Sequence, residues 1–366
     1  MNNEVDIVHE IKRTFMKLFP NAQPGNNGNI KSFSSIDKEL HSLVKGVGIR
    51  SLAGINILKL TGNDVLDFLH RISTNDLKNL GVFRHKNTLF TNEKGRLIDR
   101  TTLLKMGDYF LLIGSADPDE HLKSWIEKYI IMEDIVVEDV SNNFTIFEIY
   151  GNQVESYIPM LCGNKISELN FENIIAGEIE SIKSYVLKLE DVNELKKYWI
   201  LTPSDDSISC INYLEENKSA FDLNFIGDKA FNHFRIINGI PLFPYEINTK
   251  YNPYEVNLIH EVNFKKGCYI GQEVIARLDT YDKVQRLMKG IKFELTGNFS
   301  LPIKLKTENN EEVGEITSIS QTELNNQIIG LAIIRKKALE SDNKIFAEIN
   351  ETEKVDIQIL DFPIEQ

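Results

Sequence analysis

The sequence has few cysteines, no excess of basic residues and no long hydrophobic run. Its 366 residues include three cysteines, Cys162, Cys210 and Cys268, whose odd number and wide spacing argue against a disulfide framework and for a reducing compartment. The formal net charge of −13 argues against direct, tight binding of RNA or DNA. No apolar stretch reaches the roughly 20 residues of a membrane span, and no signal peptide is recognisable. These absences predict a soluble, cytoplasmic protein without a membrane partner.

Several sequence motifs of nucleotide and metal chemistry are also absent. The sequence contains no P-loop, no dinucleotide-binding fingerprint, no His-Glu-x-x-His and no Cys-x-x-Cys. A metal site held by this chain alone is therefore not expected. A four-iron cluster needs about four cysteine ligands. Cys268 is therefore expected at most to be a single ligand of a cluster that is shared transiently with a partner.

The hydrophobic pattern predicts a mixed α+β protein in three parts. Residues 1–45 are expected to form an N-terminal helical extension and linker, because apolar residues recur at helical spacing over residues 4–19. Residues 46–288 are expected to form an α+β body of two intertwined lobes. Apolar and polar residues alternate in residues 289–366, which predicts a small antiparallel β-barrel.

Local signals predict individual elements within the α+β body. Residues 47–64 contain two apolar runs separated by Gly54, which predicts a pair of hydrogen-bonded strands. A helix is expected near residues 117–130. Asn252 and Glu255 have the spacing of a capping box, which predicts a short helix after Asn252.

The segment KKGCYIGQE, residues 265–273, combines a lysine pair, two glycines and a cysteine. This composition suits neither a core strand nor a helix interior, so it predicts a shaped loop with a function. Lys266 and a helix start after the loop favour the thiolate of Cys268, which predicts a reactive thiol. A small buried residue in a tight turn is the alternative. Gln272 and Glu273 are expected in the first turn of the helix.

The longer segment KKGCYIGQEVIARL resembles the signature of the YgfZ family, a branch of the folate-binding aminomethyltransferase superfamily of the glycine cleavage T-protein. The flanking segments that resemble this family in the same order are LTGNDVLDFLHRISTNDL, NEKGRLID, FRIINGIPLFPYEI, NPYEVNL, VGEITSISQ and IGLAIIRKKAL. The resemblance spans about residues 46–340. It implies a three-lobed cloverleaf of the aminomethyltransferase type, with a C-terminal antiparallel β-barrel and a central tetrahydrofolate. Family members support assembly or repair of iron–sulfur enzymes, including enzymes that modify tRNA.

The resemblance also implies which residues form the site. The key cysteine of the family corresponds to Cys268, which is expected to carry the chemistry together with Lys266. The expected folate contacts are Asp99, Arg235, Asn75, Tyr269, Gln272 and Glu273. For three of them a structural role is the alternative: a solvated acid at a strand end for Asp99, an ion pair for Arg235, and a turn for Asn75.

Two positions depart from the true T-proteins. Ile237 stands where those enzymes have a glutamate that hydrogen-bonds the pterin, and losing such a contact costs about 1–3 kcal/mol. Asp99 stands alone where they have an aspartate pair. These differences favour a folate-binding accessory protein, without conventional turnover, whose partners are iron–sulfur client enzymes or assembly proteins. The alternative is a tetrahydrofolate-dependent aminomethyltransferase or another one-carbon enzyme.

Overall fold

The computed structural model describes residues 7–26, 28–52, 54–163, 166, 169–218, 220–281, 283–294, 300–321, 327–341, 343–350 and 353–365. The first residues of the predicted helix over residues 4–19 lie outside this description. The chain divides into two compact units. Unit 1 consists of Met1–Phe68, Leu77–Asn87 and Thr101–Phe231, and unit 2 consists of Leu69–Asp76, Thr88–Arg100 and Asn232–Gln366. The predicted domain boundaries at residues 45/46 and 288/289 stay a prediction.

The α-helices are interspersed among runs of consecutive strands. The helices are α1 (Ile7–Leu18), α2 (Ile36–Val44), α3 (Val65–Ile72), α4 (His121–Tyr129), α5 (Val154–Cys162), α6 (Ser207–Glu216), α7 (Asp228–Ile237), α8 (Gln272–Thr280) and α9 (Lys336–Leu339). Within the described ranges, none of them has the length and apolar character that crossing a bilayer requires.

Within the described residues, the strands lie in four sheets. They are β1 (Gln23–Pro24), β2 (Ile30–Ser32), β3 (Val47–Ser51), β4 (Ile57–Thr61), β5 (Arg84–Thr91), β6 (Leu97–Lys105), β7 (Phe110–Ile113), β8 (Val136–Asp139), β9 (Phe144–Tyr150), β10 (Ile174–Ile179), β11 (Ile182–Val192), β12 (Leu195–Pro203), β13 (Leu223–Phe225), β14 (Arg286–Glu294), β15 (Ile303–Thr307), β16 (Glu312–Gln321), β17 (Gln327–Arg335), β18 (Ile345–Glu348), β19 (Lys354–Asp356) and β20 (Gln358–Leu360). Strands β1 and β2 form a small sheet of their own.

Strands β3 and β4 belong to different sheets. Strand β3 lies in the order β10-β11-β12-β9-β3-β13, where it pairs with β9 and β13. Strand β4 lies in the order β5-β6-β7-β4-β8, where it pairs with β7 and β8. The prediction that residues 47–64 form paired strands is therefore wrong. An apolar run identifies a strand, but the strands that pair with it come from distant parts of the chain.

The C-terminal sheet confirms the predicted alternation. Its seven antiparallel strands have the order β19-β18-β15-β16-β17-β14-β20, and the two edge strands follow each other in the sequence, so the sheet is a nearly closed barrel. Ile303, Leu305 and Thr307 of β15 are buried, and their neighbours Lys304 and Lys306 are more exposed. A period of two thus places one face of each strand in the core.

The capping box forms, but no helix follows it. The backbone N–H of Asn252 donates to Glu255 Oε2 (3.0 Å), and the N–H of Glu255 donates to Asn252 Oδ1 (3.2 Å). The chain then turns back, with a φ of +60° at Asn257 and a bond from the N–H of Leu258 to the carbonyl of Pro253 (2.8 Å). The predicted short helix is therefore a series of turns. The helix predicted near residues 117–130 is confirmed as α4.

Candidate functional site

The first half of the loop of residues 265–273 is fixed by the ammonium group of Lys266. Its side chain is buried in unit 2, and Nζ donates to the carbonyl oxygens of Ser73 (2.6 Å), Asn75 (2.8 Å) and His70. These three acceptors match the three N–H donors of an ammonium. Lys266 therefore ties the loop to the end of α3 and the turn that follows it.

Burial and a nearby carboxylate shift the pKa of Lys266 in opposite directions. Burial lowers the pKa of Lys266 to about 8, and the charge of Asp76 opposes this shift. The ammonium also lies 5.2 Å from the centre of the Tyr269 ring. The observed contacts give Lys266 a positioning role, and its participation in thiol chemistry stays a prediction.

The second half of the loop rests on the turn between β5 and β6. The hydroxyl of Thr91 donates to the carbonyl of Ile270 (2.7 Å). Gly271 has a φ of +83°, and a Cβ at this position would lie 2.5 Å from the carbonyl oxygen of Asn92 and 3.0 Å from Gly95 Cα. Only glycine allows this approach. Helix α8 begins at the next residue, so the turn also sets where the helix starts.

We expect Gly271→Ala to lower the free energy of unfolding by about 2 kcal/mol, because the left-handed backbone becomes strained and the β5–β6 turn must move. Urea unfolding measures the change. Gly267→Ala is the matched control in the same loop, since its Cβ would meet only His70 Nε2, at 3.9 Å. Equal stability losses in the two variants would contradict the close approach at Gly271.

Cys268 differs from the other two cysteines in its exposure. All three thiols are free; Cys268 is exposed in unit 2, Cys210 is buried and Cys162 is half-buried. Burial raises the pKa of both Cys162 and Cys210 to about 12, so these thiols stay protonated at neutral pH. The exposure of Cys268 excludes the alternative of a small buried residue in a tight turn.

Tyr269 presents a buried polar group without a partner. Its side chain is 7% exposed, and within the described residues its hydroxyl has no hydrogen-bond partner. Burial raises the pKa of Tyr269 to about 12, so the phenol keeps its proton. A buried hydroxyl without a partner costs free energy, so such a group needs a reason to be there. The contact of Tyr269 with folate stays a prediction.

Asp99 and Asn75 are two further predicted folate contacts. Asp99 in β6 is 3% exposed, and its Oδ1 accepts the N–H of Arg100 (2.8 Å), so the alternative of a solvated acid is wrong. Asn75 Oδ1 accepts the N–H of Asp76 (2.8 Å), as its turn alternative requires. The contacts of both residues with folate stay predictions.

Helix α8 begins as the sequence predicts. Gln272 is its first residue and Glu273 lies in its first turn, which confirms the predicted position of both residues. Gln272 is half-buried and Glu273 is exposed. An acidic side chain in the first turn is favourable at the positive end of the helix. Their contacts with folate stay predictions.

Arg235 lies in a buried network within unit 2. Its guanidinium donates to Glu246 Oε2 (3.1 Å), Asn232 Oδ1 (2.9 Å), Ser318 Oγ (2.6 Å) and the carbonyl of Ile240 (3.3 Å). Arg235 and Glu246 are 1% and 0% exposed. These contacts favour the structural ion pair that the sequence left as an alternative, and a folate contact of Arg235 stays a prediction.

Ion pairs that the sequence analysis missed fix the chain just before the loop. Glu255 accepts from Arg96 (2.6 Å) and from Arg286 (2.8 Å), and Glu261 accepts from Arg100 (2.5 Å). Both carboxylates are buried. The available signal was an acidic residue inside an otherwise apolar segment, although the basic partners are distant in sequence.

Known proteins resemble this chain in sequence over most of its length. The sequence profile of the GCVT N-terminal domain matches residues 13–266. The chain is 26% identical to an aminomethyltransferase of Bacillus cytotoxicus, over 87% of this chain and 86% of that protein. It is 24% identical to a chloroplastic protein of Arabidopsis thaliana named as a transferase, over 87% of this chain and 72% of that protein.

A solved structure has the same fold. The glycine cleavage system aminomethyltransferase T of Bartonella henselae superimposes with a TM-score of 0.79, at 14% sequence identity and over 96% of both chains. This similarity confirms the predicted fold class, the α+β fold of the aminomethyltransferases.

Proposed function

Because this chain belongs to the GCVT N-terminal domain family of the aminomethyltransferase superfamily, we propose that it binds a reduced folate and presents Cys268 to iron–sulfur enzymes or their assembly proteins. This is the accessory role that the resemblance to the YgfZ family implies. The observation that carries the proposal is an exposed thiol on a loop fixed on both sides. Lys266 holds the loop before Cys268 on three carbonyl groups, and Gly271 holds it after Cys268 against the β5–β6 turn.

Unit 2 offers three polar side chains for the proposed contacts with a reduced folate. When bound, a reduced folate can carry a one-carbon unit on N5, on N10 or between them. Tyr269 supplies a hydroxyl without a partner, Asp99 a buried carboxylate, and Asn75 a side-chain amide. Ile237 is half-buried and packs against the apolar core of unit 2, so it supplies only an apolar contact. We propose that the first three residues replace the polar contact that Ile237 lacks.

We expect calorimetric titration with 5-formyltetrahydrofolate to show one saturable site of micromolar affinity. Tyr269→Phe should weaken that affinity about fivefold, because one hydrogen bond contributes about 1 kcal/mol. The variant should fold as well as the wild type, since the hydroxyl has no partner within the described protein.

Tyr281→Phe is the matched control for this titration, because Tyr281 is 63% exposed at the end of α8 and should leave the affinity unchanged. Absence of saturation at millimolar folate would contradict the folate part of the proposal. Equal affinities of wild type and Tyr269→Phe for the folate would show that the Tyr269 hydroxyl does not contact it.

We propose that Cys268 supports the client proteins through its thiol. One cysteine cannot hold a four-iron cluster, which takes about four thiolates. Cys268 therefore acts as a single ligand while the partner supplies the others, with the cluster as cargo. The exposure of Cys268 supports this, because a shared ligand must reach the partner.

Folate-dependent aminomethyl transfer is the second candidate function. The names of the bacterial relatives and the buried carboxylate of Asp99 favour it. Such a transferase must take the methylene carbon of an aminomethyl group from a lipoyl-carrying protein onto tetrahydrofolate, which frees the lipoyl thiol and releases the amine as ammonia. Release of ammonia from an aminomethylated lipoyl protein in the presence of tetrahydrofolate would demonstrate this second function. In that case, Asp99→Asn should abolish the release of ammonia.

A further inference from the structure

The turn just before Cys268 exposes a phenylalanine to solvent. Phe264 is 42% exposed, and it is the only exposed phenylalanine among the described residues of unit 2. Its ring, unlike that of tyrosine, has no polar atom that gains from contact with water. A second exposed apolar side chain, Val274 (37%), follows the thiol in α8. Exposed apolar groups beside a functional group are a feature of surfaces that other proteins cover.

Asn263 fixes this turn without help from the ring. Its Oδ1 accepts the N–H of Lys265 (2.9 Å), and its carbonyl accepts the N–H of Lys266 (3.4 Å). Its own N–H donates to the carbonyl of Thr74 (3.0 Å). Asparagine is common in turns because it can form such bonds. The turn therefore does not need a phenylalanine at position 264, and the exposed ring is attached to a fixed backbone.

Lys265 adds an exposed positive charge next to the ring. The neighbouring Lys266 is buried, with its ammonium on three carbonyl oxygens, so the two lysines differ in role. Lys265 is exposed, and among the described residues no carboxylate forms an ion pair with it. Glu273, on the other side of Cys268 in the sequence, is exposed and has the opposite charge. Such charges favour one orientation of a docking protein over others.

A protein that reaches the thiol of Cys268 must also cover Phe264. A specific interface buries about 800 Å² on each partner, which corresponds to a disc of roughly 16 Å radius around the thiol. Phe264 precedes Cys268 by four positions, so their Cα atoms are at most about 14 Å apart. The turn at Asn263 shortens this distance further. The exposed ring therefore lies within the area that a client of Cys268 would cover.

We propose that Phe264 and Lys265 form the docking surface for the iron–sulfur client protein. The ring enters an apolar pocket of the client, and the ammonium pairs with a carboxylate at the rim of that pocket. This inference rests on the proposed function, because the client is the protein that must reach Cys268. Aromatic side chains are enriched at the centres of protein interfaces, where a few of them supply most of the binding free energy.

Variants expressed at two levels in cells that lack the wild-type gene test this docking surface. Phe264→Ser should lose most of the activity of a four-iron enzyme at native expression, because loss of a central aromatic side chain weakens docking about thirtyfold. Expression raised about a hundredfold should restore the activity, since mass action offsets a lost affinity. Cys268→Ser should stay inactive at both levels, because more protein cannot replace a missing ligand.

Two variants are the controls. Phe264→Leu keeps an apolar side chain and should retain most of the activity at native expression. Phe171→Ser removes a phenylalanine of similar exposure, 49%, from unit 1 and should retain full activity. Alkylation of Cys268 in Phe264→Ser should proceed at the wild-type rate, which shows that the thiol is intact. If circular dichroism shows that Phe264→Ser is misfolded, Lys265→Glu replaces it, with the same expected results at both expression levels.

The outcomes separate this inference from the proposed function. Full activity of Phe264→Ser at native expression, with Cys268→Ser inactive, overturns the docking surface alone. Full activity of Cys268→Ser contradicts the proposed function and overturns the docking surface with it. Failure of raised expression to restore Phe264→Ser, or an equal loss in Phe171→Ser, also overturns the docking surface. A wild-type dimer that Phe264→Ser dissociates, measured by light scattering, would assign the ring to a second copy of this chain and overturn it too.

Discussion

Replacement of Arg235 by methionine is expected to lower the free energy of unfolding by about 3–5 kcal/mol, the cost of leaving a buried charge without its partner. Glu246 is 0% exposed and would lose its only cationic partner among the described residues. Asn232 Oδ1 and the carbonyl of Ile240 would each lose a donor as well. Methionine matches much of the length of arginine, so loss of charge and hydrogen bonds dominates over loss of volume.

Urea unfolding with linear extrapolation measures this change. Arg335→Met is the matched control in the same unit, because Arg335 and its partner Glu311 are 54% and 67% exposed. An exposed ion pair contributes about 0–1 kcal/mol, so the control should lose little stability. Arg235→Lys should lose less stability than Arg235→Met, since it keeps the charge and loses the fork of N–H donors.

The same variants separate the two interpretations of Arg235. If the residue is structural, folded Arg235→Lys should keep the affinity of the wild type for 5-formyltetrahydrofolate. If Arg235 contacts the ligand, the affinity should fall while the stability changes little. A stability loss of Arg235→Met no larger than that of Arg335→Met would contradict the structural interpretation.

Sequence patterns identified elements well where the signal is local. The alternation in β15 and β18 depends only on which neighbours face the core, and it correctly predicted the C-terminal antiparallel sheet. Which strands pair with each other does not depend on local sequence. Strands β3 and β4 look alike in sequence, yet distant strands draw them into different sheets. Likewise the capping box at Asn252 formed its bonds, while the turn at Asn257 ended any helix.

In the candidate site, too, local features could be predicted from the sequence, whereas contacts between distant residues could not. The composition of residues 265–273 was sufficient to predict a shaped loop that leads into a helix, because glycines and a lysine pair disfavour regular structure before Gln272. The contacts that hold it could not be read from sequence, since Lys266 and the carbonyl of His70 are 196 positions apart. Buried ion pairs such as Arg235–Glu246 depend on burial as well as on spacing, and the sequence gives no measure of burial for a charged residue.

Replacement of Cys268 by serine is expected to abolish support of iron–sulfur enzymes in cells that lack the wild-type gene. Serine is close in size to cysteine, and the side chain is exposed, so the fold should be unaffected. Its hydroxyl is a far weaker acid than a thiol and a poor ligand for iron in clusters. The activity of a four-iron enzyme in extracts should therefore equal that of the deletion strain and should recover with the wild-type gene.

Cys162→Ser is the matched control for this experiment and should restore full activity. Burial raises the pKa of the Cys162 thiol to about 12 and so keeps it protonated at pH 7, so it cannot take over a role that needs a thiolate. Alkylation of the native protein should accordingly label one thiol rapidly, and Cys268→Ser should remove that rapid phase. Full recovery of enzyme activity by Cys268→Ser would contradict the thiol mechanism even if folate binds, because the ligand site and the thiol are tested separately. Loss of activity in Cys268→Ser with folate affinity retained would assign the accessory role to the thiol itself.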